Sequence, residues 1–146
     1  MRNQYEKNLS GDYCFLKQDY GSVHVISGRY TAADNDVFME RINCIIDKNI
    51  GNFDFNVDAL GEELGISRVH LYRKVKGLTG KSPVLLIRRL RMQRAAKLID
   101  DGAGNLAVIS LSIGLLNPSY FSKRFKEFYG NSPKYFVHRF AKETVA

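Results

Sequence analysis

Apolar residues recur at steps of three and four along most of the chain from Asp36 onward, which is the spacing of amphipathic helices. Glycine and serine residues stand where these stripes end and begin. Gly65 and Gly80 each end one stripe, and Ser67 stands where a capping residue would begin the next. The pattern therefore predicts successive helices. They cover about 36–48, 57–64, 68–79 and 83–100.

The first 35 residues follow a different pattern. YCFL and VHVIS have strand-like composition and flank KQDYGS, so this stretch is predicted to be irregular or hairpin-like. A polar lead-in follows, in which Asp34 or Asn35 is placed to cap the first helix. We therefore expect residues 1–35 to be an extension or linker that precedes a helical domain over 36–141.

The longest predicted helix lies in SPVLLIRRLRMQRAAKLIDDG. Ser82 is suited to cap this helix and Pro83 to start it, and about eighteen residues at 1.5 Å each give roughly 27 Å. One side is predicted to be buried, with Leu86, Ile87, Leu90, Ala95, Leu98 and Ile99. Four arginines fall around the remaining surface: Arg88, Arg89, Arg91 and Arg94.

One sequence frame occurs twice, as KVKGLTGKSP at 74–83 and as RFKEFYGNSP at 124–133. The match at this offset of fifty extends to the neighbouring apolar positions, for example Val75 with Phe125, and upstream the offset becomes forty-nine. Such self-similarity indicates a repeated structural unit. The chain is predicted to hold two helical units and a linking helix, at about 36–81, 105–141 and 82–100.

Each copy contains a short helix, a glycine turn and a second helix with a polar, basic outer face. A small residue, Gly61 or Ser110, lies four positions before the turn glycine, where crossing helices approach closely. This arrangement is typical of a DNA-binding helix-turn-helix, whose second helix enters the major groove. The inner sides of the two second helices are predicted to carry Leu71, Val75 and Leu78, and Tyr120, Phe121 and Phe125.

The charge distribution supports a polyanionic partner. The net charge is +7, but residues 1–65 hold 6 Lys/Arg against 11 Asp/Glu, whereas residues 66–146 hold 16 Lys/Arg against 4 Asp/Glu. The second part, at +12, is therefore the basic one. A basic surface of this kind attracts nucleic acid, although a solubility bias on an inert surface is the alternative explanation.

The stretches FNVDALGEELGISRVHLYRKVKGLTGKSP and ISLSIGLLNPSYFSKRFKEFYGNSPKYF resemble the two-helix-turn-helix DNA-binding domain of the AraC/XylS transcription regulators. The resemblance covers residues 36–141, about 70% of the chain. It implies an all-α fold of about seven helices, in which two helix-turn-helix subdomains are joined by a long central helix. It also implies that the two second helices lie over successive major-groove segments on one face of the DNA.

Site residues follow from the resemblance and from side-chain chemistry. Arginine can donate two hydrogen bonds to guanine, valine can pack on a thymine methyl group, and other cations can bind phosphates. The base-contact positions of the family map onto Val69, Tyr72, Arg73, Ser119, Ser122 and Lys123. Phosphate contacts are expected from Arg68, Lys76, Arg88, Arg124 and Lys126.

Two positions depart from the family pattern: Leu115 replaces the usual Phe after the turn glycine, and Gly61 replaces the preferred Ala. A glycine inside a helix costs on the order of 0.5–1 kcal/mol relative to Ala. Upstream, VHVISGRYTAADNDVFMERINCIID is similar to the linker that precedes this domain in response regulators and hybrid two-component sensor-regulators. Thirty-five residues are too few for a receiver sheet, so we expect an output domain without its input.

Other function classes find little support. No nucleophile elbow, phosphate loop, metal-ligand cluster or carboxylate pair is present, so neither catalysis nor a cofactor is expected. A non-specific basic module for DNA or RNA is the alternative, but the aromatic residues lie at helix-core spacing and not on a sheet. We expect a cytoplasmic protein whose partner is promoter DNA, with RNA polymerase and a homodimer on direct repeats as further partners. No stretch predicts a membrane span.

Overall fold

The computed structural model describes residues 32–143, and this part of the chain consists of seven helices and no strand. The all-α architecture predicted from the sequence is confirmed. The hairpin-like segment predicted before residue 32 lies outside the described residues. The helices are α1 Ala32–Lys48, α2 Val57–Leu64, α3 Arg68–Thr79, α4 Pro83–Asp100, α5 Leu106–Ser112, α6 Pro118–Tyr129 and α7 Pro133–Glu143.

Local capping chemistry sets most helix boundaries. The Ser67 hydroxyl accepts a hydrogen bond from the amide of His70, and the Ser82 hydroxyl accepts one from the amide of Leu85. Gly80 ends α3 in the left-handed conformation, with φ +73°. The start of α1 is different: the helix begins at Ala32, so Asp34 lies in its first turn and the predicted cap at Asp34 or Asn35 is wrong.

Two hydrophobic cores form, one in each unit. The first contains Ile42 and Ile46 of α1, Leu60 of α2, and Leu71 and Val75 of α3. The second centres on four residues of α5, the following turn and α6: Ile109, Ile113, Phe121 and Phe125. Each fully buried side chain of this size contributes about 1.5–3 kcal/mol.

Helix α4 belongs to both cores. Its first half places Ile87 in the first core, and its second half places Met92, Ala95 and Ile99 in the second. Ile87 and Met92 are five residues apart, which at 3.6 residues per turn corresponds to roughly 140° around the helix. The buried side therefore changes between the two halves of the helix. Ala95 and Ile99 were predicted to be buried, but Met92, which lies on the same side as they do, was not. Leu86, Leu90 and Leu98 are half-buried against the cores.

The repeat extends further upstream than the sequence pattern indicated. Ile42 and Ile46 occupy the first core as Ala95 and Ile99 occupy the second, at an offset of fifty-three. The second half of α4 thus serves the second unit as α1 serves the first. The long helix is both the last element of one unit and the first element of the next.

Two residues predicted to point inward do not. Leu78 is 36% exposed and Tyr120 is 38% exposed. Leu78 lies in the last turn of α3 and belongs to neither core. Tyr120 turns its ring toward the guanidinium of Arg124, 5.0 Å from the ring centroid.

Gly61 and Ser110 occupy equivalent places before the turns of the two units. The Ser110 hydroxyl donates a 2.6 Å hydrogen bond to the carbonyl oxygen of Leu115. At Gly61 a Cβ atom would lie 3.0 Å from the equivalent carbonyl oxygen, that of Ile66. The close approach therefore offsets part of the helix-propensity gain that an alanine would bring.

We expect Gly61→Ser to stabilise the domain by about 0.5–1 kcal/mol and Gly61→Ala to stabilise it less, because only serine can use the close carbonyl as an acceptor. Urea unfolding of both variants measures the difference. The reciprocal control, Ser110→Ala, should lower stability by about 1 kcal/mol. A Gly61→Ala variant more stable than Gly61→Ser would contradict this account.

Candidate nucleic-acid interface

The second helix of each unit, α3 or α6, presents its outer face to solvent, and we call these two the reading helices. On α3, Leu71 and Val75 are buried, so the opposite side points away from the core. Five residues of that side are exposed: Arg68, Val69, Tyr72, Arg73 and Lys76. Val69 is 61% exposed and Tyr72 44%, although both are largely apolar. An outward apolar pair beside cations suits a partner that offers both methyl groups and negative charge.

Helix α6 repeats this arrangement. Asn117 caps it, since its side-chain oxygen accepts hydrogen bonds from the amides of Ser119 and Tyr120 at 2.9 and 3.1 Å. The proline at 118 occupies the first turn. Outward from the buried Phe121 and Phe125 lie Ser119, Lys123 and Lys126, which are exposed, and Ser122, which is half-buried.

Two of the predicted phosphate ligands already have carboxylate partners. Arg68 donates to both oxygens of Asp58 at 3.1 and 3.0 Å, in a pair that is largely exposed. Arg124 lies 2.7 Å from a carboxylate oxygen of Glu127, on the side of α6 that faces α4. Hydrogen bonding to Tyr120 and to the Glu127 carboxylate, which accepts from Arg124, raises the pKa of Arg124. A phosphate bound by either arginine would therefore compete with a carboxylate for the guanidinium N–H groups.

The four arginines of α4 divide into an outer and an inner pair. Arg88 and Arg89 are exposed. Arg91 donates from Nη2 to the carbonyl oxygens of Asn52 at 3.0 Å and Phe55 at 3.4 Å, and burial lowers its pKa. Arg94 pairs with Asp47 of α1 at 3.8 Å. The inner pair leaves no signal in a periodicity pattern, because the partners of both arginines, two backbone carbonyls for Arg91 and the Asp47 carboxylate for Arg94, lie more than thirty residues away in the chain.

A cleft of about 550 Å³ separates the first half of α4 from α6. The outer arginines Arg88 and Arg89 and the Tyr120–Arg124 pair line it, together with Val84, Leu85 and Phe128. Thr79 at the end of α3 also borders the cleft. Its lining therefore joins the end of α3, the first half of α4 and one side of α6, and it carries the cations Arg88, Arg89 and Arg124.

Within residues 32–143 no group of His, Cys, Asp and Glu side chains is arranged to hold a metal ion. In the same range, none of the helices combines the length and apolar character needed to cross a membrane.

A family model described as a helix-turn-helix domain matches residues 60–139, which is more than half of the chain. This range includes both reading helices, the second of the motifs that resemble the AraC/XylS domain, and the first motif from Leu60 onward. The chain belongs to the AraC/XylS-type helix-turn-helix family. Members of this family are sequence-specific DNA-binding transcription regulators, and the chain carries their DNA-binding domain.

Solved structures of AraC/XylS-type domains share the fold. The C-terminal domain of AraT, a response regulator from Geobacillus stearothermophilus, is 27% identical, with a TM-score of 0.66 over 77% of this chain and 88% of that one. The C-terminal domain of the two-component response regulator yesN from Fusobacterium nucleatum is 25% identical. Its TM-score is 0.64 over 69% of this chain and 98% of that one.

Among curated relatives, "Histidine kinase P4" of Formosa agariphila is 30% identical over 139 residues, which is 94% of this chain and 10% of that protein. The chain spans between 10% and 37% of the length of the first curated relatives that it matches. The AraC/XylS-type domain is thus one part of each of those longer proteins.

Proposed function

We propose that α3 and α6 read two adjacent segments of one double-stranded DNA site. The observation that carries this proposal is the equivalence of the two helices. Each has a buried apolar stripe, a capped start and an exposed polar face, and both pack on the same long helix. A single chain can then occupy an asymmetric site without a second subunit.

Base recognition is assigned to three residues on each reading helix. On α3, Arg73 donates two hydrogen bonds to a guanine, while Val69 and Tyr72 pack against thymine methyl groups or sugars. On α6, Ser119 and Ser122 are short donors and acceptors for base edges, and Lys123 is a longer donor. The exposure of Val69 and Tyr72 supports the assignment, because such apolar area gains from being covered.

Phosphate contacts are assigned to the cations that flank these residues: Arg68, Lys76, Arg88, Arg124 and Lys126. They supply affinity that depends on salt and little on sequence. Lys76 lies 5.6 Å from the ring centroid of Tyr72, so one residue for phosphate and one for bases share a patch. Arg68 and Arg124 exchange their carboxylate partners for phosphate when DNA is bound.

The likeness to response regulators and to a histidine kinase supports a role as the output domain of a two-component system. In that role the domain acts by recruitment and not by catalysis, in the cytoplasm, with promoter DNA and RNA polymerase as partners. Homodimers on direct repeats would follow if other parts of a longer protein associate.

Selection of bound duplexes from a random library tests the proposed function. We expect enrichment of a bipartite sequence whose two segments lie about one helical turn apart, because two reading helices on one face meet successive major grooves. The basic second part of the chain, at +12, leaves a non-specific module as the second candidate. Binding to bulk DNA or RNA with no enrichment would select that candidate instead.

Arg73→Ala should weaken binding to the selected site by about 1–3 kcal/mol and relax specificity at one base pair. Fluorescence anisotropy with selected and random duplexes measures both effects. Arg73→Lys is the matched control, because lysine keeps the positive charge but cannot donate two parallel hydrogen bonds to one base. It should therefore retain affinity for random DNA while losing specificity. Equal losses on both duplexes would remove Arg73 from base reading.

Lys126→Ala should lower affinity for all sequences alike and reduce the slope of log K against log salt by about 1. A titration from low to moderate salt gives the slope. Lys48→Ala, at an exposed lysine in the last turn of α1 and outside the reading helices, is the control and should leave the slope unchanged. An unaltered slope for Lys126→Ala would rule out the phosphate contact.

Asp58→Asn removes the carboxylate that holds Arg68. Because the pair is exposed, stability should change by less than about 0.5 kcal/mol. Affinity for all DNA should rise, since Arg68 no longer exchanges a carboxylate for a phosphate. Asp58→Asn also removes a negative charge that repels DNA, so the same substitution is made in an Arg68→Ala background as a control. If Asp58→Asn raises DNA affinity equally with and without Arg68, Arg68 is not a phosphate ligand.

A further inference from the structure

The two units touch directly, in addition to being joined by α4. A Cβ atom on Gly114, in the turn between α5 and α6, would lie 2.7 Å from the carbonyl oxygen of Ile50 and 3.2 Å from that of Asn52. A Cβ atom on Gly51 would lie 3.2 Å from the carbonyl oxygen of Ser112. Residues 50–52 of the first unit and 112–114 of the second are therefore in backbone contact. We call this the loop–turn contact.

Side chains of α4 reinforce this contact. Arg91 hydrogen-bonds the carbonyl oxygens of Asn52 and Phe55, so it holds the loop that forms one side. Arg94 pairs with Asp47 near the end of α1, just before the same loop. Helix α4 thus holds both the loop and the end of α1 just before it, while Gly51 of the loop meets the turn of the second unit.

The loop–turn contact is not a property of the repeated unit. Gly65 is the turn glycine of the first unit and is equivalent to Gly114, with a similar left-handed backbone, φ +69° against +77°. Yet a Cβ atom on Gly65 would have no neighbour within 4 Å. Both turns need glycine for their backbone conformation, but only Gly114 also needs it for close packing. The packing requirement therefore concerns the pair of units.

The position of this contact bears on DNA reading. Residues 112–114 lie at the end of α5 and a short turn before α6, and residues 50–52 precede α2, which packs against α3. Together with α4, the contact gives the two units a second connection, which opposes bending or twisting of α4 between them. The relative placement of α3 and α6 then cannot change without separating residues 50–52 from 112–114.

We propose that the loop–turn contact fixes the spacing between the two DNA segments that this domain accepts, with Gly114 and Arg91 as positioning residues. This inference rests on the proposed function. One inserted base pair shifts the second segment by about 3.4 Å and turns it by roughly 34°. Linked binding elements lose their joint gain, about 10²–10⁴-fold, when the geometry forbids both from engaging. A rigid pair should therefore discriminate sharply between spacings.

The test compares Gly114→Ala with Gly65→Ala, using the selected site and versions of it with one or two base pairs inserted between the segments. Both variants bear the strain of alanine at positive φ, and only Gly114→Ala disturbs the contact. Wild type and Gly65→Ala should bind the two-base-pair insertion at least about tenfold more weakly than the selected site. For Gly114→Ala this insertion penalty should fall below about threefold, with weaker binding at the native spacing.

Arg91→Met tests the same inference without backbone strain, since it keeps an apolar stem and loses the hydrogen bonds to the loop. It decides the matter if Gly114→Ala does not fold, as judged by circular dichroism and thermal unfolding. A wild-type insertion penalty in both variants, or an equal reduction in Gly65→Ala, would overturn the inference. A wild type that enriches a bipartite site but tolerates insertions would overturn it while leaving the proposed function intact. A wild type that enriches no sequence would overturn both.

Discussion

Helix α4 has to bury apolar side chains in two cores at once, and the arrangement of the other helices depends on this constraint. Neither core is complete without it: Ile87 closes the first, and Met92, Ala95 and Ile99 form one wall of the second. An ordinary surface helix has one apolar stripe and one polar face. Here the two stripes lie on different sides of successive halves, roughly 140° apart at Ile87 and Met92, so each unit packs on its own side of α4.

Because α4 is covered on two sides, some of its charged side chains are partly buried. Arg91 and Arg94 lie where the units approach each other, and their guanidinium groups are partly removed from water. Burial of a cation is costly unless hydrogen bonds or an opposite charge offset it. Arg91 donates hydrogen bonds to carbonyl oxygens and Arg94 pairs with a carboxylate, so both residues help to attach the first unit to α4. Arg88 and Arg89 remain exposed and line the cleft opposite α6, where they add positive charge.

The parts of the fold that depend on neighbours in the sequence could be predicted well. Ser67, Ser82 and Gly80 act within three or four residues, and the periodicity that marks α2 and α3 extends over two turns. The start of α1 was placed too late because polar residues in a first turn resemble a cap. Leu78 and Tyr120 were placed inward because they lie close to the apolar stripe in a helical projection, which does not reveal where neighbouring helices end.

The sequence by itself determined that the chain is helical, that it repeats one unit, and that Leu71 and Val75 face inward on α3 as Phe121 and Phe125 do on α6. Those properties follow from side-chain spacing and capping, which act over a few residues. The tertiary structure alone decided that α4 serves both cores, that Arg91 and Arg94 turn inward, and that Gly114 meets the loop at 50–52 while Gly65 meets nothing. These features join backbone atoms and side chains that are far apart in the chain. Every residue has the same backbone carbonyl, so the sequence does not show which carbonyl a distant side chain or glycine will meet.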